Sequence, residues 1–105
     1  MDQAAPTLLP DLVLWRRDGC HLCDDARQLV TTLLAERAAT GRRVPAIVER
    51  SITDDPAVER ELFEQIPVLD LAGSRLPLAI RTGAIRTFLA TALDRAEAAL
   101  DGRSG

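Results

Sequence analysis

The sequence predicts a single α/β domain whose elements follow the order β-α-β-α-β-β-α. An apolar run of strand length, Leu12-Val13-Leu14-Trp15, is followed by apolar residues at helical spacing and then by a second strand-like run. Further on, Ala72-Gly73-Ser74 separates two short apolar runs that can pair as a hairpin. Because a β-α-β unit needs parallel strands and a hairpin needs antiparallel ones, we expect a four-stranded mixed sheet flanked by helices.

The first strand and the first helix are the most clearly marked elements. We expect the strand over Leu12–Arg16 and the helix over Cys20–Ala39, with Gly41 placed just beyond its end. The apolar positions of the helix are Leu22, Ala26, Leu29, Val30, Leu33 and Leu34. This spacing is that of an amphipathic helix.

The middle of the chain is predicted to form a central strand and a short helix. Residues 44–52 contain the strand-forming run Ala46-Ile47-Val48. Asp55 can cap the helix that follows, and Pro56 suits its first position. We expect the inner face of this helix to carry its apolar residues Val58, Leu62 and Phe63.

The last third of the chain is predicted to form the hairpin and a long helix. Its strands are expected over 66–71 and 75–80, and Pro77 confines the second strand to a sheet edge. Thr82 is the predicted cap of the last helix. The apolar stripe of that helix consists of Ile85, Phe88, Leu89, Ala92, Leu93, Ala96 and Leu100.

Length and composition are those of one globular domain over residues 1–105. Hydrophobic residues make up 47% of the chain and charged residues 28%. We expect residues 1–10 and 101–105 to be flexible, since prolines interrupt the first segment and the last is polar. The net charge is −3, and the 13 lysine and arginine positions are all arginines, scattered along the chain. This charge pattern favours neither nucleic acid nor an anionic membrane as a partner.

No targeting or membrane-spanning segment is recognisable, which predicts a cytoplasmic protein. No stretch approaches the roughly 20 apolar residues that span a bilayer. The first ten residues lack the basic and apolar parts of a signal peptide.

The two cysteines, Cys20 and Cys23, form one Cys-x-x-Cys motif. In a reducing compartment such a motif is more often catalytic or metal-binding than structural.

The Cys-x-x-Cys motif falls where the first strand passes into the first turn of the helix. Backbone N–H groups there lack intrahelical partners, and the helix dipole is positive at this end. Both features favour a thiolate at Cys20, because the unperturbed pKa of a cysteine is only about 8.5. The preceding Arg16-Arg17 pair can add to this effect, whereas the following Asp24-Asp25 pair opposes it. Cys23, one turn further on, is predicted to be the less exposed thiol that closes a disulfide.

Other interpretations of these residues stay open at this stage. A tetrahedral zinc site needs four ligands, and the two thiols with His21 supply at most three. A cluster bridged between two chains is a further alternative. His21 can offer positive charge to the thiolate or have no role. Trp15 can flank a substrate groove or simply pack against the strand's neighbours.

In its motifs the chain resembles the glutaredoxin-like branch of the thioredoxin-fold superfamily, and most of all a group of small bacterial proteins. The resemblance covers about residues 12–100 and implies a thioredoxin-like fold. Three segments carry it, namely Gly19-Cys20-His21-Leu22-Cys23 after a strand, the helix start Asp54-Asp55-Pro56, and the strand opening Ile66-Pro67-Val68-Leu69.

The resemblance also implies roles for individual residues. Cys20 would be the attacking thiol, Cys23 the resolving thiol and Pro67 the family's cis-proline. Ile66 would offer its backbone to an extended substrate segment. Arg17 stands where glutaredoxins often carry a lysine that pairs with a carboxylate of glutathione, although a merely solvated charge is the alternative. The candidate substrate-binding residues are Arg17, His21, Leu22, Ile66, Pro67, Thr82 and Gly83.

The chain departs from the glutaredoxin pattern in two places. No tyrosine stands between the cysteines. Before the last helix, Arg81-Thr82-Gly83-Ala84 occupies the position of a Gly-Gly and an acidic residue that hold one end of glutathione. A helix N-terminus still attracts a carboxylate without special side chains. We therefore expect glutathione to be a weak substrate.

These features together predict a thiol–disulfide oxidoreductase that reduces protein disulfides or glutathione mixed disulfides through its dithiol. No prosthetic group or metal is required, and glutathione is a candidate reductant. We expect a monomer that has neither nucleic-acid nor membrane partners. The alternative is a redox-inactive thioredoxin-fold module that binds a partner protein or a glutathione-ligated iron–sulfur cluster.

Overall fold

The chain folds into four strands and three helices in the predicted order, in a computed structural model that describes residues 9–103. The elements are β1 (Leu12–Arg16), α1 (His21–Ala39), β2 (Ile47–Ser51), a 3-10 turn (Ile52–Asp54), α2 (Pro56–Leu62), β3 (Val68–Leu71), β4 (Ser74–Leu76) and α3 (Thr82–Arg103). Of the two segments expected to be flexible, residues 1–8 and 104–105 lie outside the described range.

The four strands form one sheet in the order β2-β1-β3-β4. β1 runs parallel to β2, with Leu12 opposite Ile47, and antiparallel to β3, with Leu14 opposite Leu69. β4 pairs antiparallel with β3. The predicted mixed sheet is confirmed, but the prediction that β2 is central is wrong. β2 lies at an edge and none of its residues is fully buried, because β1 takes β3 as its second neighbour.

β1 and α1 form where local sequence chemistry places them. β1 has its predicted limits, and α1 begins one residue after its predicted start because Cys20 is the N-cap. At the other end Thr40 is the C-cap and Gly41 has a φ of +83°, in the left-handed region that glycine favours. The N–H of Gly41 donates to the carbonyl of Ala38 at 2.9 Å, which terminates the helix.

The start of α2 is capped as predicted, and its end differs from the prediction. The Asp55 carboxylate accepts hydrogen bonds from the N–H groups of Ala57 (3.0 Å) and Val58 (3.4 Å). Leu62 is buried, but Phe63 remains 49% exposed and does not lie on the inner face. The helix ends at Leu62, and one further residue turns the side chain about 100° away from the buried face.

The hairpin ends earlier than predicted, and the chain then folds back over β3. β4 stops before Pro77, which has no N–H to donate to a neighbouring strand. The N–H of Leu78 donates instead to the carbonyl of Gln65 (2.7 Å), and the N–H of Ala79 donates to that of Pro67 (2.8 Å). Residues 77–81 are therefore a loop fastened to the segment that precedes β3.

α3 begins at Thr82, the residue that the sequence predicts to be its cap. The first helical hydrogen bond runs from the N–H of Ile85 to the carbonyl of Arg81 at 3.0 Å. This bond puts Arg81 at the cap position and Thr82 in the first turn, so the prediction that Thr82 is the cap is wrong. The predicted apolar stripe is confirmed, with Phe88 and Leu100 partly buried and the other five residues buried.

The core consists of two clusters on opposite faces of the sheet. Alternation along β1 sends Leu12 and Leu14 to one face and Trp15 to the other. The larger cluster packs β1 and β3 against α1 and α3. The smaller, called here the small cluster, joins the disulfide to α2, and its buried members are Cys23, Ile52, Leu62, Ile66 and Val68. Within the described part of the chain no helix could cross a lipid bilayer.

Candidate active site

Cys20 and Cys23 form a disulfide at the start of α1, with their Cα atoms 5.2 Å apart. Gly19 carries the chain out of β1 with a φ of +74°, which favours glycine at this position. Cys20 follows with extended backbone angles as the N-cap of α1, and its Sγ accepts a hydrogen bond from the N–H of Cys23 at 3.1 Å. The sulfur thus takes the place that a serine or aspartate oxygen usually holds at a helix start.

The two sulfurs differ in their access to solvent. Cys20 is partly buried, whereas Cys23 is completely buried. The predicted difference in exposure is confirmed. Cys20 is consequently the sulfur that a second molecule can reach, while Cys23 can reach only Cys20.

The side chains of the small cluster pack around the disulfide. Ile52, Ile66 and Val68 are at most 8% exposed, and Trp15 packs against them together with Cys20. The Ile66–Pro67 peptide bond is cis, and Pro67 is fully buried. The indole Nε1 of Trp15 is buried and has no hydrogen-bond partner among residues 9–103. Trp15 is thus a packed residue of this cluster.

A network of ion pairs ties the end of β1 to the first turn of α1. The Arg16 guanidinium lies 2.8 Å from the Asp24 carboxylate and 3.1 Å from that of Glu49. The hydrogen bond to Asp24, followed by that to Glu49, raises the pKa of Arg16 although partial burial lowers it. Because Arg16 neutralises Asp24, neither charge acts on Cys20 as strongly as the sequence alone suggests.

Four other charged or titratable side chains around the motif are differently placed. Arg17, Asp18, His21 and Asp25 are exposed, and none has an ion-pair or side-chain hydrogen-bond partner among residues 9–103. Arg17 and His21, two of the predicted substrate-binding residues, therefore lie free at the surface close to Cys20 in sequence.

A groove of about 390 Å³ runs between the first half of α1 and the start of α3, and we call it the α1–α3 groove. It brings together Leu22 and Thr82, which are both predicted substrate-binding residues. Gly83 is exposed beside Thr82 but does not line the groove. The lining residues that matter below are Leu22, Asp25, Leu29, Ile80, Thr82 and Ile85.

Of the ten described residues that line this groove, sequence reasoning predicts only Leu22 and Thr82 as site residues. Three of the others are informative. From the sequence, Asp25 is expected to oppose a thiolate at Cys20, and Ala79 and Ile80 are expected in a strand, whereas all three line the groove. The available signal was Pro77, whose missing N–H ends β4 and turns the next residues toward α1. Ala79 is completely buried by this turn, while Ile80 remains 47% exposed on the groove wall.

Comparison with known proteins agrees with this geometry. The family described as "Glutaredoxin-like domain (DUF836)" matches residues 11–97. The X-ray structure of target protein XcR50 from X. campestris has 32% identity and a TM-score of 0.60, over 77% of this chain and 97% of that one. The solution structure of XcR50 has 30% identity and a TM-score of 0.60, over 78% and 95%. No curated protein matches significantly. The chain therefore belongs to the glutaredoxin-like family and has a thioredoxin-like fold.

Proposed function

We propose that the protein is a thiol–disulfide oxidoreductase that reduces disulfides of other proteins. The observation that supports this most is the unequal cysteine pair, with Cys20 accessible at the helix start and Cys23 buried one turn away. A thiolate at the Cys20 position keeps the hydrogen bond from the Cys23 N–H and faces the positive end of the α1 dipole. Its pKa is therefore expected below the ordinary value of about 8.5.

The proposed reaction starts from the dithiol form of the protein. The Cys20 thiolate attacks one sulfur of the substrate disulfide, forms a mixed disulfide and releases the other substrate sulfur as a thiolate that takes up a proton. Cys23 then loses its proton and attacks the Cys20 sulfur, which releases the second substrate thiolate. The substrate gains two electrons and two protons, and the protein ends with the Cys20–Cys23 disulfide.

The other parts of the proposal follow from the same chemistry. Thiol exchange needs no prosthetic group, and glutathione is a proposed reductant but a weak substrate. Arg17 is free to meet one carboxylate of glutathione, yet the start of α3 offers only Thr82 and backbone N–H groups to the other. We propose a monomeric cytoplasmic reductase without nucleic-acid or membrane partners.

Single-turnover exchange with a cystine-linked peptide tests the proposal. The protein is reduced with dithiothreitol, desalted and mixed with the peptide, and free thiols and masses are followed. We expect one peptide disulfide reduced per wild-type molecule, none by Cys20→Ser, and a trapped mixed disulfide with Cys23→Ser. Alkylation against pH should show one thiol titrating clearly below about 8.5.

Two results would contradict this function. One is two equally reactive thiols that both titrate near the ordinary value. The other is an exchange rate that Cys20→Ser leaves unchanged. The alternative, a redox-inactive binding module, would show itself through visible absorbance after anaerobic purification and through binding of its partner that Cys23→Ser does not alter.

A further inference from the structure

We propose that the α1–α3 groove binds the polypeptide segment next to the substrate's disulfide, and that it selects an apolar side chain accompanied by a basic one. This inference rests on the proposed function and names its substrate class. The preferred substrates are protein disulfides with lysine or arginine nearby, and acidic segments and glutathione mixed disulfides are disfavoured.

Each wall of the groove contains a residue that is linked to the surroundings of the disulfide. On the α1 wall, Leu22 stands between the two cysteines in the chain. On the other wall, Ala79 donates its N–H to the carbonyl of Pro67 at 2.8 Å. Ile66, the residue before Pro67, packs in the small cluster with Cys23. Leu22 lies two residues from Cys20, so a segment joined to Cys20 by a mixed disulfide is placed to reach the Leu22 end of the groove.

The groove offers apolar surface that the fold itself leaves uncovered. Leu22 is 51% exposed and Ile80 47% exposed, and both line the groove together with Leu29 and Ile85. Leu78 does not line the groove, but it is also half exposed two residues before Ile80. Concentrated exposed apolar side chains beside a reactive group mark a binding surface. The volume of about 390 Å³ lies at the lower end of the range for ligand sites, about 300–1,000 Å³, which suits a short segment.

The charge of the groove decides which segment fits. Asp25 is the one charged side chain among the described residues that line it, and it has no partner within residues 9–103. The start of α3 contributes an opposing positive dipole, equivalent to about half a charge. Arg81, the nearest basic residue in the chain to Thr82, does not line the groove. The positive end of α1 lies at Cys20, more than one helical turn before Asp25, and the dipole effect falls off within the first turn. Along the groove itself the full negative charge of Asp25 therefore outweighs the α3 dipole, so the groove favours cations over carboxylates.

The test compares two cystine-linked peptides that are identical except for a lysine or a glutamate beside the cystine. Single-turnover rate constants with the reduced protein are divided by those for dithiothreitol, which corrects for the peptides' own reactivity. We expect wild type to prefer the lysine peptide about tenfold at low ionic strength. The preference should disappear in about 1 M salt, where the Debye length is about 3 Å.

Two substitutions locate the origin of the preference. Asp25→Asn should reduce it to about twofold or less, whereas Asp18→Asn removes an exposed charge outside the groove and should leave it unchanged. Both peptides meet the same thiolate, so a change in Cys20 reactivity cancels in the ratio. An equal effect of the two substitutions would overturn the inference, because it would show a general field rather than a groove contact.

A third variant tests the apolar contact. Ile80→Ser should lower the rates with both peptides several-fold but leave the rate with hydroxyethyl disulfide, which is too short to enter the groove, unchanged. Equal corrected rates for the two peptides, or an equal loss with hydroxyethyl disulfide, would overturn the inference while disulfide reduction stands. Absence of any reduction by wild type would instead overturn the proposed function.

Discussion

The two ends of the α1–α3 helix pair use their charged side chains in opposite ways. At the end far from the disulfide, the Arg37 guanidinium is 12% exposed and lies 3.1 Å from the Asp94 carboxylate and 2.7 Å from that of Glu97. Arg42 contacts the same two carboxylates at 2.7 Å each. Arg43 pairs with Asp101 at 3.3 Å. These contacts fasten the last turn of α1 and the loop after it to the second half of α3.

The ionisation of this far-end network reflects its hydrogen bonds. The bonds from Arg37 and Arg42 hold the pKa of Asp94 below its ordinary value. Partial burial raises the pKa of Glu97, but the bonds and charges of both arginines outweigh it and the net shift is downward. The bonds to Glu97 and Asp94 in turn raise the pKa of Arg42. The network therefore favours the charged forms of Arg42, Asp94 and Glu97.

At the disulfide end Arg16 pairs with Asp24 and Glu49, but four other charged or titratable side chains close to Cys20 in sequence are left unpaired. Arg17, Asp18, His21 and Asp25 have no side-chain partner within residues 9–103, and the groove beside them exposes apolar side chains. The comparison indicates that the charged side chains at the far end stabilise the fold. The disulfide end keeps charges and apolar surface available to another molecule.

The largest effect on stability is expected from truncating a core side chain in each of the two clusters. Ile52 is buried in the small cluster at the disulfide, and Leu93 is buried in the larger cluster. Ile52→Ala and Leu93→Ala should each lower the free energy of unfolding by about 2–5 kcal/mol. Only Ile52→Ala should also change the alkylation rate of Cys20, since only Ile52 packs in the cluster that holds Cys23.

Urea unfolding and thiol alkylation measure the two quantities in parallel. Where an alanine variant fails to fold, Ile52→Val provides the same contrast at about 0.5–1.5 kcal/mol. Equal changes in Cys20 reactivity from both sites would show that the two ends are not independent, and the comparison would fail.

An intermediate effect is expected at the far-end network. Arg37→Gln should lower the free energy of unfolding at neutral pH by about 1–2 kcal/mol, because a partly buried bond to Glu97, an exposed bond to Asp94 and a bond to the Arg43 carbonyl are lost. Arg17→Gln, which removes an exposed and unpaired arginine, is the matched control and should leave stability unchanged.

The pH dependence of the Arg37→Gln effect has a definite sign. The pKa values of Asp94 and Glu97 in the folded protein lie below their ordinary values of 3.8 and 4.5. A carboxylate of this kind stabilises the fold above its unfolded pKa and loses that contribution as the pH falls through its folded pKa. The difference between wild type and Arg37→Gln should thus be complete at neutral pH and shrink below about pH 4. Only the bond from Arg37 Nε to the Arg43 carbonyl should remain at pH 2, so a difference as large there as at neutral pH would refute the assignment to these carboxylates.

The smallest effect on stability is expected at Leu78, a residue at the disulfide end whose backbone conformation is unfavourable for a side chain. Leu78 has a φ of +50°, a conformation that costs a non-glycine residue about 1–2 kcal/mol, while its side chain stays 53% exposed. Leu78→Gly should relieve this cost, less about 0.5–1 kcal/mol for the freedom that glycine gains in the unfolded chain. Stability should rise slightly, whereas the rate with cystine-linked peptides should fall.

Ala72→Gly is the control for this prediction, because Ala72 also has a φ of +50° but lies in the β3–β4 hairpin turn. It should raise the melting temperature by a similar amount and leave the peptide rate unaltered. Equal peptide rates for the two variants would show that the exposed Leu78 side chain has no part in substrate binding.

Much of the candidate site could be predicted from the sequence because it depends on residues a few positions apart. Cys20 lies at the start of α1 and Cys23 one turn inside it, as the apolar spacing after the motif predicts. The cap at Asp55 and the left-handed Gly41 were predictable for the same reason. Capping and turn chemistry act within one helical turn, so the local sequence contains all the information they need.

The tertiary structure alone decided which distant elements meet. The run Ala46-Ile47-Val48 is compatible with a central or an edge strand, and only the pairing of β1 with β3 left β2 at the edge. Arg37 finds its carboxylates 57 and 60 residues away, and Ile80 lines the same groove as Leu22 only because the loop after Pro77 folds back. Such contacts depend on how whole faces pack around one core. Side-chain periodicity tells which face of an element is buried, but it does not tell against which neighbour, and the groove beside the disulfide exists only through that choice.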